Sequence, residues 1–297
     1  MSGSDRDQSA EGSAERHPSA GGSVGRQGRL GGLAGRVWAV ALNTFREAVR
    51  NRVLYVLALF AVGLMAFSLV LGELSMHEEI RVIKDLGLAG ISLTGVVIAL
   101  FLGVNLLSKE LDRKTVYFVI PKPLRRGEFL LGKYLGQVFT LAILVGLMAC
   151  ILAAFVLAQG GTHGVVLVRA EVLVFFELCL LTAVAMLFSS FSSPYLSAML
   201  TAALWIIGRN RGELLAFATG KKLVGTPLGM ALEVMADLVP DFQALYVSGT
   251  ELGGEVVSVH ESFVGWGYVA EAGGYGLLYA AICLTVAMVL FARRDLT

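Results

Sequence analysis

From Val53 to Leu71 the chain reads VLYVLALFAVGLMAFSLVL, with no charged residue anywhere in the run. An α-helix rises 1.5 Å per residue, so a stretch of this length crosses most of the roughly 30 Å of hydrocarbon in a bilayer. The pattern recurs at Leu86–Leu107, Gln137–Ala158, Ala170–Phe191, Tyr195–Gly208 and Gly267–Ala292. Composition agrees, with 56% hydrophobic and 16% charged residues, against about 25% charged in a typical soluble domain. The expected fold class is an all-α membrane protein with six transmembrane helices. The fifth span is the shortest and reaches bilayer length only if Asn210 and Arg211 lie at or just past its end.

Residues 1–32 are Ser- and Gly-rich, mixed in charge and without an apolar run, and read as a disordered tail. No secretory signal pattern precedes Leu33, so the first span is expected to act as its own insertion signal. Residues 33–52, LAGRVWAVALNTFREAVRNR, place Leu33, Val37, Trp38, Ala41, Phe45 and Val49 at helical spacing, with Arg36, Asn43, Arg46 and Arg50 opposite. That describes an amphipathic interfacial helix; an extended lead-in to the first span is the plainer alternative. The domains are thus a 1–32 tail and a 33–297 transmembrane domain.

Orientation follows from Lys and Arg in short flanking loops. With the amino terminus inside, the cytoplasmic face holds Arg46, Arg50, Arg52, the basic run between spans 2 and 3, and Arg293 and Arg294. The opposite face holds Arg81, Lys84, Arg169, Arg209, Arg211, Lys221 and Lys222, spread more thinly and outnumbered by Asp and Glu. Both termini are expected on the cytoplasmic side of the inner membrane. The outer segment 209–266 carries LVGTPLGMALEVMADLVPDF, which reads as one or two short helices capping the bundle. Re-entrant segments are a less favoured alternative.

The densest charge lies in SKELDRKTVYFVIPKPLRRGEF, residues 108–129. Its basic residues satisfy the positive-inside rule and attract anionic lipid. Yet Pro121 and Pro123 also break the helix after an apolar run at Val116–Ile120, and helical patterning resumes from Arg125 to Tyr134. A helix, kink and helix below the bilayer has more shape than a lipid tether needs.

This stretch, continued through Gly136, resembles the cytoplasmic signature of the type-2 ABC export permeases. Glu110, Lys114-Thr115, Pro121-Lys122-Pro123, Arg125-Arg126, Phe129 and Gly132-Lys133-Tyr134-Leu135-Gly136 fill that signature in order. Lys114 stands where the family often has Gly, and Pro121 where it often has Ser. The opening NTFREAVRNRVLYVL and closing FARRDLT are similar to copper-maturation and gliding-type members. The resemblance implies a cytoplasmic coupling helix between spans 2 and 3. It further implies separate ABC ATPase subunits as partners, and a second permease copy or paralogue in a dimer. Carried over, Glu110, Arg113, Lys114, Pro121, Lys122, Pro123, Arg125, Arg126 and Phe129 would meet the ATPase, with a second contact near Phe45 and Arg46.

No G-x-x-x-x-G-K-[ST] phosphate loop is present, so ATP and Mg are expected on the partner, with no cofactor in this chain. The net charge of +1 gives no general affinity for nucleic acid. Cys150, Cys179 and Cys283 fall in apolar runs and read as small hydrophobes; His77, His163 and His260 show no metal-ligand spacing. No histidine and no aspartate pair lies within a span, which argues against an intramembrane hydrolase. Glu177, in VFFELCLL, is the exception, since a carboxylate at that depth costs about 2.5–3.5 kcal/mol on insertion scales. It reads either as part of a substrate path or as a hydrogen-bonded structural group. The sequence thus points to the permease subunit of an ABC exporter. The alternative is an ABC-coupled membrane component for surface-machinery assembly or signalling.

Overall fold

The computed structural model describes residues 27–74, 79–113, 126–161, 164–219, 226–246, 250–252, 255–257 and 265–293. In chain order these form α1 (Gln27–Val49), α2 (Arg52–Leu74), α3 (Glu79–Arg113), α4 (Arg126–Ala158), α5 (Val165–Phe191), α6 (Pro194–Arg209), α7 (Arg211–Ala218) and α8 (Pro227–Leu238). A short antiparallel pair, β1 (Thr250–Leu252) and β2 (Glu255–Val257), precedes α9 (Trp266–Arg293). Apart from this small hairpin the described elements are helical, in keeping with the all-α expectation.

Five helices are long and apolar enough to cross a membrane: α2, α3, α4, α5 and α9. The fifth predicted span is present as α6, but it has 16 residues, about 24 Å of helix and short of the hydrocarbon thickness. Five membrane-length helices are thus present among the described residues, with a shorter helix at the place of the fifth expected span. Pro194 at the first turn of α6 presets its dihedral, and Ser192 and Ser193 form the turn out of α5.

Contacts along the helices fix their directions. Leu178 lies over Gly95 and Ala185 over Gly103, so α3 and α5 run parallel. Phe176 packs on Gly273, and Arg169 lies over the Trp266 ring at 5.2 Å, so α9 runs with them. Leu152, late in α4, covers Gly87, early in α3, which sets α4 antiparallel. A Cβ placed on Gly95 or Gly103 would come within 2.5 Å of the facing side chain. Only glycine permits this approach, which brings packing and dispersion to helices that gain little from lipid exclusion.

α3 and α5 form the centre and are largely buried, while α2, α4 and α9 present apolar side chains outward. Tyr55, Leu59 and Phe60 of α2 and Ile143 and Leu147 of α4 are among those exposed. α4 is tied inward by polar bonds: Gln137 Nε2 donates to Leu102 O at 2.9 Å and Tyr134 Oη donates to Cys179 O at 3.2 Å.

α1 lies along the first turns of α4. The face it buries carries Ala41, Thr44 and Ala48, whereas Trp38, expected on the apolar face, is 62% exposed. Small residues win because Gly132 and Gly136 let the two backbones close up. A Cβ on Gly136 would sit 2.5 Å from Ala41 O. Phe45 meets Phe139 edge to face at 4.9 Å, and Arg36 Nε stands 3.2 Å from Glu128 Oε2.

Candidate functional site

Glu177 is fully buried on α5, and the structure shows where its charge is met. Arg209 Nη1, at the last residue of α6, donates to Glu177 Oε1 at 2.7 Å. Trp205 Nε1, one turn earlier on α6, donates to the same oxygen at 2.8 Å. Ser92 Oγ of α3 donates to Oε2 at 3.3 Å and accepts from Arg209 Nη1 at 3.4 Å. Three helices therefore meet on one carboxylate. With both oxygens engaged and an arginine as counter-ion, the desolvation cost of an ionised carboxylate is offset within the protein.

Arg209 also explains why α6 is short. From the level of Glu177, α5 continues to Val165, about 18 Å further at the helical rise. Where α6 stops, the stretch 239–246 closes over its end: Pro240 O and the Phe242 ring crowd Gly208, and Tyr246 places its ring 3.4 Å from the Arg209 guanidinium carbon. Phe242 and Leu245 are fully buried. Irregular backbone among membrane helices requires internal hydrogen bonds, and this stretch has them. Tyr268 Oη donates to Ala244 O at 2.7 Å, Tyr279 Oη donates to Leu238 O at 2.9 Å, and the Asp241 N–H donates to Tyr275 Oη at 3.0 Å. One face of α9 thus clamps the segment. The Ala244 N–H reaches Asp241 Oδ1 at 3.1 Å, and Asp241 pairs with Arg211 of α7 at 3.3 Å.

The predicted partner-contact residues fare differently. Glu110 and Arg113 lie in the last turn of α3, Arg126 opens α4, and Phe129 lies one turn later with Lys133 Nζ 5.1 Å from its ring centre. Lys114, Pro121, Lys122, Pro123 and Arg125 fall outside the described residues. No group of three metal-ligating side chains occurs among the described residues. Sequence reading singled out Glu177 but assigned Arg209 to a loop and passed over Ser92, Trp205 and Tyr246. One signal was available: Glu177 and Arg209 are equidistant in sequence from Ser193, so a tight hairpin brings them level.

Five membrane-length apolar helices around a buried, cross-helix ion pair define a multi-pass α-helical membrane protein. The chain belongs to the ABC-2 family of transporter proteins, whose pattern matches residues 38–296. It is similar to the probable ABC transporter permease protein NosY of Stutzerimonas stutzeri, with 31% identity over 135 residues. That match covers 42% of this chain and 48% of the relative, so the alignment spans about half of the relative's length.

Proposed function

We propose that this chain is the transmembrane subunit of an ABC exporter, driven by ATP hydrolysis on separate ATPase subunits docked at the α3–α4 connection. Family membership supplies the class, and the length of α3 supports the docking. Its apolar stretch ends at Val104 while the helix runs on to Arg113, which carries Glu110 and Arg113 about 9–14 Å past the apolar span. A lipid tether needs no such projection. At the other end of the connection, α4 begins among close contacts with α1, so a displacement there passes directly into a membrane-length helix.

In this reading the connection lies in the cytoplasm, both termini are cytoplasmic, and the membrane is the inner one. The outward apolar faces of α2 and α6, with Leu59 and Met199 exposed, meet lipid and a second permease copy or paralogue. Glu177 serves as a structural carboxylate that holds Arg209, since its oxygens are occupied by protein donors.

The test is association with an ABC ATPase subunit co-expressed with this chain. Glu110→Lys or Arg125→Glu should weaken co-purification in detergent by about tenfold or more, with the helical content of the permease unchanged. Undiminished association in both variants would refute docking at this connection.

A further inference from the structure

The clamp between α9 and the 239–246 stretch leaves a cavity of about 280 Å³ that the ion-pair cluster does not use. It is lined by Tyr268, Glu271, Ala272 and Tyr275 of α9, by Ala244 of the clamped segment, and by the Asp241–Arg211 pair. Spacings of three and four residues along α9 bring Tyr268, Glu271, Ala272 and Tyr275 to one side of the helix.

Three features specify what would fit. First, the rings are fixed before any ligand arrives, because both tyrosine hydroxyls are held by backbone groups of the clamped segment. Rigid walls reduce the ordering cost of binding. Second, the charge is unbalanced. Arg211 offsets Asp241, whereas Glu271 takes part in no ion pair among the described residues. The cavity therefore carries an excess of one negative charge beside two aromatic rings. Third, the volume lies just below the roughly 300 Å³ at which ordinary small-molecule pockets begin, which suits a compact occupant rather than an extended one.

We propose that this cavity is a binding site for a small organic ammonium group of the choline type. The cation would lie over Ala272, bracketed by the two rings, where its charge meets the ring quadrupoles and the Glu271 carboxylate. Such a group can arrive as a free solute or as the headgroup of a phosphatidylcholine lipid. The site is independent of how the permease is powered, so its test does not depend on ATPase docking.

The full chain, in nanodiscs of phosphatidylglycerol, is titrated with choline and with tetramethylammonium by calorimetry. Both are expected to bind saturably, and the neutral isostere 3,3-dimethylbutanol about tenfold more weakly or worse. Glu271→Gln should weaken choline by about tenfold, and Ala272→Phe, which adds a ring to the cavity lining, should abolish binding; an unchanged melting temperature confirms that each variant folds. Replacing part of the lipid with phosphatidylcholine assigns the source. A lower apparent affinity for free choline identifies the lipid headgroup, and an unchanged one identifies the solute. Absence of saturable binding, equal binding of the isostere, or undiminished binding in both variants would overturn the proposal.

Discussion

Arg209 Nη1 stands 2.7 Å from Glu177 Oε1, and the two residues are equidistant in sequence from Ser193 in the turn that joins α5 to α6. Both helices rise by the same increment from that turn, so the charges arrive at the same level. A buried ion pair of this kind is weak evidence for net stability and better evidence for register. Here it sets how far α6 extends along α5, and Ser92 adds α3 to the same fixed point.

Removing the carboxylate tests that role. Glu177→Gln leaves Arg209, only 20% exposed, without its counter-ion. The expected loss is about 3 kcal/mol, the lower end for breaking a buried pair. Arg209→Gln should cost a similar amount, but the double variant should lose at least about 1 kcal/mol less than the sum of the two. Unfolding of the four proteins in one detergent measures the cycle, and simple additivity would show that the pair is not a coupled unit.

The central helices give a second contrast. Gly103→Val places methyl groups where a Cβ would already lie 2.5 Å from Ala185 Cβ, and α3 must move away from α5 at a cost of about 1–3 kcal/mol. Gly63 in α2 and Gly146 in α4 have nothing within 4 Å of the same position. Ala at either should be neutral or stabilising by up to about 1 kcal/mol through helix propensity. Melting temperatures of the three variants decide this, and equal effects would deny that glycine sets the α3–α5 distance.

The spans were legible because hydrocarbon thickness imposes a length that any reader can measure in the sequence. Glu177 was legible as a cost without a visible return. Its partner was not, because Arg209 follows a span too short to cross and so resembles the start of an outer loop. The 239–246 clamp was hidden for a different reason. Its hydrogen bonds come from Tyr268, Tyr275 and Tyr279, distant in sequence and readily taken for interfacial aromatics. The packed side of α1 was legible only in part: Ala41 lay on the expected apolar face, whereas Thr44, brought in by close approach to Gly136, did not.

That last point gives a prediction at the α1–α4 contact. Arg36 is 35% exposed and Glu128 only 8%, so the pair contributes on the order of 1 kcal/mol or less after solvent screening. Arg36→Glu should raise amide hydrogen exchange across the first half of α1 without shifting the main unfolding transition. Adding Glu128→Arg, which restores opposite charges in reversed order, should return protection. Exchange that stays high in the double variant would assign the docking to the glycine contacts alone.

The final prediction separates the two ends of Tyr246. Its ring lies 3.4 Å from the Arg209 guanidinium carbon, within reach of a cation–π contact that strengthens where water is excluded. Tyr246→Phe keeps the ring face and should leave exchange of the 241–246 amides close to that of the parent. Tyr246→Leu keeps an apolar side chain but removes the quadrupole, and should cost about 1–2 kcal/mol of local protection there. The α9 hydrogen bonds to Asp241 and Ala244 remain in both variants, so a difference between them reports the ring and the arginine. Loss of protection in the phenylalanine variant as well would assign the attachment to the hydroxyl group.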